Sequence, residues 1–238
     1  MSFYSILSRY YDEIFPPSAE QCIFIQNLLS RRPSKILDAG CGAGGLSSLL
    51  ASEGNIVTGI DSDPGMIRAA TARYAKNPSL SFVLRDMSKQ GQISGEPFDA
   101  VVSFGNALVH MKEDAAKKFI FSAGEKLSAG GDLFIQILNY DRLAAAGEKN
   151  LPVIETQNII FKRYYDWNDG LVFTARLFEK ASGTESENSI RLYPVTKSDL
   201  SEMISCGNFS EAKFFGTFGM KDWDCGDFMT IVHARKNR

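Results

Sequence analysis

The sequence predicts an α/β fold, a seven-stranded and mostly parallel sheet with helices on both faces and a small antiparallel β insertion after the fifth strand. Three observations carry the prediction. Short apolar runs alternate with segments whose apolar residues recur at helical spacing, the pattern of βα units. The first run, Lys35-Ile36-Leu37-Asp38-Ala39, enters a glycine-rich turn, Gly40-Cys41-Gly42-Ala43-Gly44-Gly45, and a helix follows at once from Leu46. Beyond the fifth run, two alternating stretches flank Asn168-Asp169-Gly170, a hairpin turn signal.

In chain order, residues 2–15 carry apolar side chains at helical spacing until Pro16-Pro17 stops them. Ser18 is placed to cap a second helix, Ala19 to Ser30, with Cys22, Ile23, Ile25, Leu28 and Leu29 on its apolar face. Ile56 to Ile60 is a second strand ending at Asp61, and Asp63-Pro64 opens a helix that runs to about Lys76. Leu80 to Leu84 is the third strand, polar Ser88 to Pro97 a loop, and Phe98 to Phe104 the fourth strand. Lys112 to Leu127 is a helix with Ala116, Phe119, Ile120, Ala123 and Leu127 on its buried side. Ala129-Gly130-Gly131-Asp132 is a tight turn before the fifth strand, Leu133 to Leu138. In the insertion, Ile159 to Trp167 and Leu171 to Phe178 alternate, Asn188 to Tyr193 adds a third strand, and residues 181–188 are the most loop-like stretch. Thr196 to Asp199 caps a helix reaching Cys206; Phe209 to Phe218 and Asp227 to Ala234 close the sheet, the last strand antiparallel to its neighbours. Four regions result: N-terminal helices in 1–34, a ligand-binding core in 35–141, an antiparallel flap in 142–194, and a closing helix and strand pair in 195–238.

The glycine turn sets the chemistry. Glycines let backbone pass close to a ligand, and a helix start offers free N–H groups and partial positive charge. Gly40, Gly42 and Gly45 satisfy G-x-G-x-x-G, the dinucleotide fingerprint, while Asp38, Gly40, Gly42 and Gly44 satisfy acid-x-Gly-x-Gly-x-Gly. Asp38 separates the two readings. A carboxylate at the strand end repels a pyrophosphate but favours the sulfonium and ammonium of S-adenosylmethionine. Asp61 suits either cofactor, since an acid at the end of the second strand takes ribose hydroxyls.

On these residues, Ile36 to Leu46 resembles motif I of the class I S-adenosylmethionine-dependent methyltransferases, which have a Rossmann-like sheet. The resemblance covers residues 35–140 well and the rest more loosely. It implies that Asp38, Gly40, Gly42 and Gly44 cradle the cofactor, with Asp61 and Ser62 at the ribose and Asp86-Met87 at the adenine edge. Met66 faces the adenine or else packs the sheet. Phe104-Gly105-Asn106-Ala107-Leu108-Val109-His110 is similar to the segment of glycine and sarcosine N-methyltransferases that touches the methionine part, giving Phe104 and Asn106 that role. Asn139-Tyr140-Asp141 also looks like that group, in which an asparagine helps hold the substrate carboxylate; an Asx turn is the other reading. Tyr10-Tyr11-Asp12 resembles an element that roofs the active site, although tyrosines at helical spacing also serve as core. The segment is not of the Asn-Pro-Pro-Tyr type, which weakens a DNA or glutamine methyltransferase reading.

Methyl transfer needs alignment and exclusion of water more than a reactive side chain. His110 and Tyr11 are the catalytic candidates: His110 as a base or substrate partner, or else a capping histidine, and Tyr10, Tyr11 and Phe104 as ring faces for cationic groups. Arg163, Arg176 and Arg191 in the flap are candidates for a substrate carboxylate, each alternatively on the wet face. Tyr140 accompanies Asn139 as a substrate candidate, and His233, in an apolar strand, is structural. The function implied is a small-molecule methyltransferase that uses S-adenosylmethionine and releases S-adenosylhomocysteine, with an amino-acid-like amine as favoured acceptor. An oxygen acceptor, a nicotinamide-dependent dehydrogenase and a non-catalytic cofactor-binding module are the alternatives.

Composition narrows the classes. A net charge of −2 over 238 residues, without a long basic run, argues against a nucleic-acid partner. No apolar run approaches membrane-spanning length, and Arg9, Asp12 and Glu13 break any signal-peptide pattern. Cys22, Cys41, Cys206 and Cys225 have no metal-ligand spacing and are read as reduced thiols of a cytoplasmic protein, with no metal site.

Overall fold

The computed structural model describes residues 3–89, 91–147, 149–210 and 212–238; Ser2, Gln90 and Glu211, expected in helix, loop and strand, lie outside them. Helices α1 (Phe3–Ile14) and α2 (Ala19–Leu28) precede the core. The core then alternates β1 (Lys35–Ala39), α3 (Gly45–Ser52), β2 (Ile56–Asp61), α4 (Pro64–Tyr74), β3 (Leu80–Leu84), β4 (Phe98–Ser103), α5 (Glu113–Lys126) and β5 (Leu127–Leu138). After α6 (Tyr140–Ala146) come β6 (Ile154–Glu155), β7 (Ile159–Asp166), β8 (Leu171–Glu179) and β9 (Thr184–Leu192), then α7 (Lys197–Ser205), β10 (Lys213–Phe215) and β11 (Met229–Arg235). One sheet runs β10-β11-β5-β4-β1-β2-β3 with only β11 antiparallel to its neighbours; β6-β7-β8-β9 form a separate antiparallel sheet. The α/β class and the insertion after the fifth strand are as the sequence predicts.

The central strands are apolar throughout because both faces are covered. On β1 and β4, Ile36, Ala100 and Val102 pack toward α2 and α3 with Phe24, Ile25 and Leu50. Leu37, Phe98 and Val101 pack toward α5 and α7 with Phe119, Ile120, Leu200 and Met203. On α2 the sequence placed Ile23 on the buried face, but Ile23 is exposed and Phe24 is fully buried. At 100° per residue Ile23 lies opposite the face centred between Ile25 and Leu28. Ser18 occupies the N-cap of α2 without a side-chain bond, so that cap is not made. Asp63 and Thr196 make theirs, Thr196 in a reciprocal capping box with Asp199.

Three strand boundaries differ from expectation. Ala129 to Asp132 is not a turn outside β5 but a bulge within it: Leu127 pairs with Phe98 and Asp132 with Ala100, so the residues between bow outward at Gly130 (φ 73°). The sixth strand shrinks to Lys213–Phe215, with Phe209 making only an isolated bridge to Lys236. Residues 184–188, expected as loop, belong to β9, a polar edge strand whose exposed positions make it read like a loop.

Asp132 closes the end of the sheet remote from the glycine turn. Fully buried, it accepts bonds from the Ser30 N–H (2.7 Å), the Arg235 Nε (3.2 Å) and the His233 ring at 2.8 Å, which confirms His233 as structural. Burial pushes this carboxyl upward, but the bonds from His233 and Ser30 outweigh it and hold the pKa below the usual carboxylate value. Cys22 and Cys41 are buried, Cys206 and Cys225 exposed, and all four are unpaired. Among the described residues no helix is long and apolar enough to cross a membrane.

Replacing Asp132 by Ala is expected to cost about 2–3 kcal/mol at pH 7, because buried donors lose a charged acceptor. The wild-type contribution is present above the unfolded carboxylate pKa and fades as pH falls through the lowered folded value. Denaturant unfolding should therefore show the gap between wild type and Asp132→Ala narrowing in acid; a gap constant with pH would contradict the linkage.

Candidate active site

The site grows from the turn after β1. Gly40 (φ 83°), Gly42 (φ 54°) and Gly44 (φ 83°) adopt left-handed backbone that side chains disfavour. The N–H groups of Gly40 and Cys41 both bond the Ile60 carbonyl, at 2.8 and 3.0 Å. Asp61, at the end of β2, completes the anchor: one carboxylate oxygen accepts the Gly42 N–H (3.0 Å) and the other the Asp63 N–H (2.8 Å). Asp63 in turn caps α4 through the N–H groups of Gly65 and Met66. Asp38 is buried at the end of β1 and accepts the Ser47 hydroxyl at 2.6 Å. Burial pushes Asp38 up to about 6; the Ser47 bond opposes the shift and the charge of Asp61 adds to it. Asp61 is also raised, mainly by burial.

Two cavities, of about 450 and 470 Å³, open on either side of this turn and share Tyr11, Gly40, Gly105 and His110 as lining. The first is walled by Asp61, Ser62, Met66, Asp86 and Met87. The second runs from Asp38, Phe104, Asn106 and Gln136 to an apolar end under the flap formed by Phe161, Tyr165, Phe173 and Leu192, with Arg163 among them. His110 ends the short 3-10 turn Ala107–His110 at the sheet's carboxyl edge. His110 keeps exposed surface, yet desolvation by the protein packed around it lowers its pKa from the ordinary imidazole value, so the ring is neutral near pH 7. The loop carrying it is fixed by Gln136, which accepts the Gly105 N–H at 2.8 Å. Asn106 (φ 68°) accepts the Leu138 N–H at 3.0 Å and donates to the Tyr140 hydroxyl at 2.8 Å. Among the described residues, no group of three or more His, Cys, Asp or Glu is arranged to hold a metal ion.

A family model described as a methyltransferase domain matches residues 36–131, the stretch from β1 into the β5 bulge. Over those residues the chain is similar to a methyltransferase domain. The chain is 40% identical over 107 residues to a ubiquinone biosynthesis O-methyltransferase of Methylocella silvestris, covering 44% of this chain and 40% of that one. It is 29% identical over 126 residues to the glycine N-methyltransferase of Mus musculus, covering 48% and 43%. The matched stretches thus span less than half of each of these relatives. Over the whole chain, the fold superposes on the CcbJ methyltransferase of Streptomyces caelestis with a TM-score of 0.81 at 20% identity, covering 100% of this chain and 99% of that one.

Within the matched stretch and its flanks the expected site residues divide. Asp38, Gly40, Gly42, Asp61, Ser62, Met66, Asp86, Met87, Phe104, Asn106, His110, Tyr11 and Arg163 adjoin or line the two cavities. Gly44 does not: it caps α3, and a Cβ there would lie 2.7 Å from the Phe82 ring, so it is a packing glycine. Asn139 has another task than holding a substrate. Fully buried, its amide donates to the carbonyls of Cys225 and Asp227 while its oxygen accepts the Arg142 N–H, tying the segment before β11 to the start of α6. Tyr140 is buried too and acts through Asn106. Arg176 is exposed and paired with Glu187, and Arg191 is exposed and paired with Asp169. Sequence reasoning passed over Gln136, Tyr165 and Phe173. For the last two the period-2 alternation of β7 and β8 held the signal, since each shares a row with buried Phe161 or Ala175.

A Cβ at Gly42 would sit 2.9 Å from the Tyr11 ring, on backbone already in the left-handed region. Gly42→Ala is expected to destabilise the fold by about 1–3 kcal/mol and to displace Tyr11. Thermal unfolding and the change in tyrosine fluorescence check this; unchanged values for both would show that α1 yields at no cost.

Proposed function

We propose that the protein is an S-adenosylmethionine-dependent methyltransferase acting on a small-molecule acceptor, with an amine as the favoured nucleophile. The observation that carries the reading is the pair of cavities meeting at Gly40, Tyr11 and His110, one acid-lined and one largely apolar. The residues fit the cofactor's chemistry. Cβ atoms at Gly40 and Gly42 would strike Ala107 and Tyr11, so the turn lies too close to the roof for any side chain. The donor and acceptor set around it is acidic: Asp38, Asp61 and Asp86 suit hydroxyls, an adenine amine and cationic groups, and oppose a pyrophosphate. That acidity argues against the dehydrogenase alternative.

When bound, S-adenosylmethionine supplies a methyl carbon activated by a positive sulfur. The chain's own residues do the rest. Asp61 accepts ribose hydroxyls with the lone pairs left by its two backbone bonds, and Met66 and Met87 give apolar walls for a base. Asp38 stands at the cationic amino-acid end. Tyr11 and Phe104 exclude water from the junction of the cavities. Neutral His110 is able to accept the proton that an amine or hydroxyl nucleophile releases as it is alkylated. Amine methylation is favoured by the aromatic rings and the Arg163 cation at the flap end of the acceptor cavity, since an apolar wall and a like charge both favour an amine's reactive neutral form. An oxygen acceptor is the second reading, supported by the identity to an O-methyltransferase.

Isothermal calorimetry with S-adenosylmethionine, S-adenosylhomocysteine and NADH tests the cofactor, with micromolar binding of the first two and none of NADH expected. Binding of NADH alone would replace this reading with the dehydrogenase. Asp61→Ala should weaken S-adenosylhomocysteine binding by about one to two orders of magnitude in a folded protein, since charge-assisted bonds are lost. Affinity for the same ligand should also fall as pH drops through about 6, where Asp38 takes a proton and loses its attraction for the ammonium. In Asp38→Asn that pH dependence should vanish; its persistence would assign the titration to another group.

A further inference from the structure

The acceptor cavity contains a cation, Arg163, that makes no ion pair among the described residues. On β7, Ile159, Phe161, Arg163 and Tyr165 share the row that faces inward, and Arg163 is the one charged member of it. Its Nη2 donates to the Pro152 carbonyl at 3.0 Å, and its Nε is buried with no hydrogen-bond partner. The guanidinium carbon lies 5.8 Å from the centroids of both Phe15 and Phe161. No ion pair to Arg163 is formed among the described residues, whereas Arg176 and Arg191 on the outer rows each have an acidic partner. A half-buried guanidinium with a free donor, set among the aromatic rings at the apolar end of the cavity, is poised for an anion that arrives with the ligand. Because the fork presents parallel N–H groups, a carboxylate is the matching anion.

The rest of the cavity defines the body of that ligand. Phe15, Phe161, Tyr165, Phe173 and Leu192 make the walls beside Arg163. A cavity of about 470 Å³ lies within the ~300–1,000 Å³ range that takes drug-sized ligands. Glycine or sarcosine would leave these walls in contact with water. We propose that the acceptor is a carboxylic acid with a bulky apolar or aromatic body, of the kind found in the large apolar amino acids, and that Arg163 binds its carboxylate. The assignment rests on the reading of this cavity as the acceptor site. It makes Arg163 a specificity determinant.

The test uses calorimetry on the full chain saturated with S-adenosylhomocysteine, titrating phenylalanine, tyrosine and leucine, the amide of each, and glycine. At least one of the three acids is expected to bind about tenfold or more tightly than its own amide and than glycine. In Arg163→Gln, with unchanged S-adenosylhomocysteine affinity, that acid-over-amide preference should disappear. Arg163→Lys should keep part of it, which separates loss of charge from loss of fold, and thermal unfolding of both variants reports the fold directly. Acid and amide binding alike, no acid binding at all, or a preference that survives Arg163→Gln would overturn the proposal. Failure of S-adenosylhomocysteine itself to bind would instead overturn the methyltransferase reading.

Discussion

The carboxylate of Asp61 is the joint on which the site depends. Its two oxygens hold the Gly42 and Asp63 N–H groups, so one side chain fixes the turn after β1 and the entry to α4. The Ile60 carbonyl, accepting Gly40 and Cys41, repeats the same tie one residue earlier. A glycine-rich turn left to itself samples many conformations, and ordering it is entropically costly. Here that cost is met by bonds from the neighbouring strand, before any ligand arrives. The acid-lined cavity is thereby preorganised, and the roof residue Tyr11 rests directly on the fixed turn.

Charge divides the site sharply. Around the turn three carboxylates cluster, and burial raises two of them, Asp38 to about 6. Such a cluster is costly unless something positive relieves it, so it favours a cationic group beside the turn. Under the flap the sign reverses, with Arg163 among aromatic rings and its pKa lowered mainly by burial. The two ends would pull a molecule bearing opposite charges into one orientation, with His110 and Tyr11 at the crossing point.

Much of this was legible in the sequence because the signals are local. The strand-turn-helix at Asp38 to Leu46, the acid ending β2 and the capping box at Thr196 each depend on residues a few positions apart. What stayed hidden depends on partners distant in the chain. Asn139 looked like a substrate group, yet its amide is consumed by carbonyls more than eighty residues later. Gly44 looked like a ligand glycine, yet the ring it accommodates comes from β3. The three flap arginines were separable in principle, since alternation puts Arg163 in the row of Phe161 and Tyr165, while Arg176 falls in the row of Thr174 and Phe178, opposite buried Ala175 and Leu177. That separation needed the strand registers, which a polar third strand obscured.

The polar edge strand β9 has a bearing beyond the site. An unpaired strand edge is a template for pairing with other chains. The β9 edge carries Glu185, Glu187 and Arg191 on its exposed row, and Glu187 and Arg191 are held by Arg176 and Asp169 of the same flap. A second chain adding to this edge would have to set its own side chains beside this row of charges. The flap therefore resists polymerisation through its own roof, and the hydrophilic composition that disguised β9 as a loop is also its protection against aggregation.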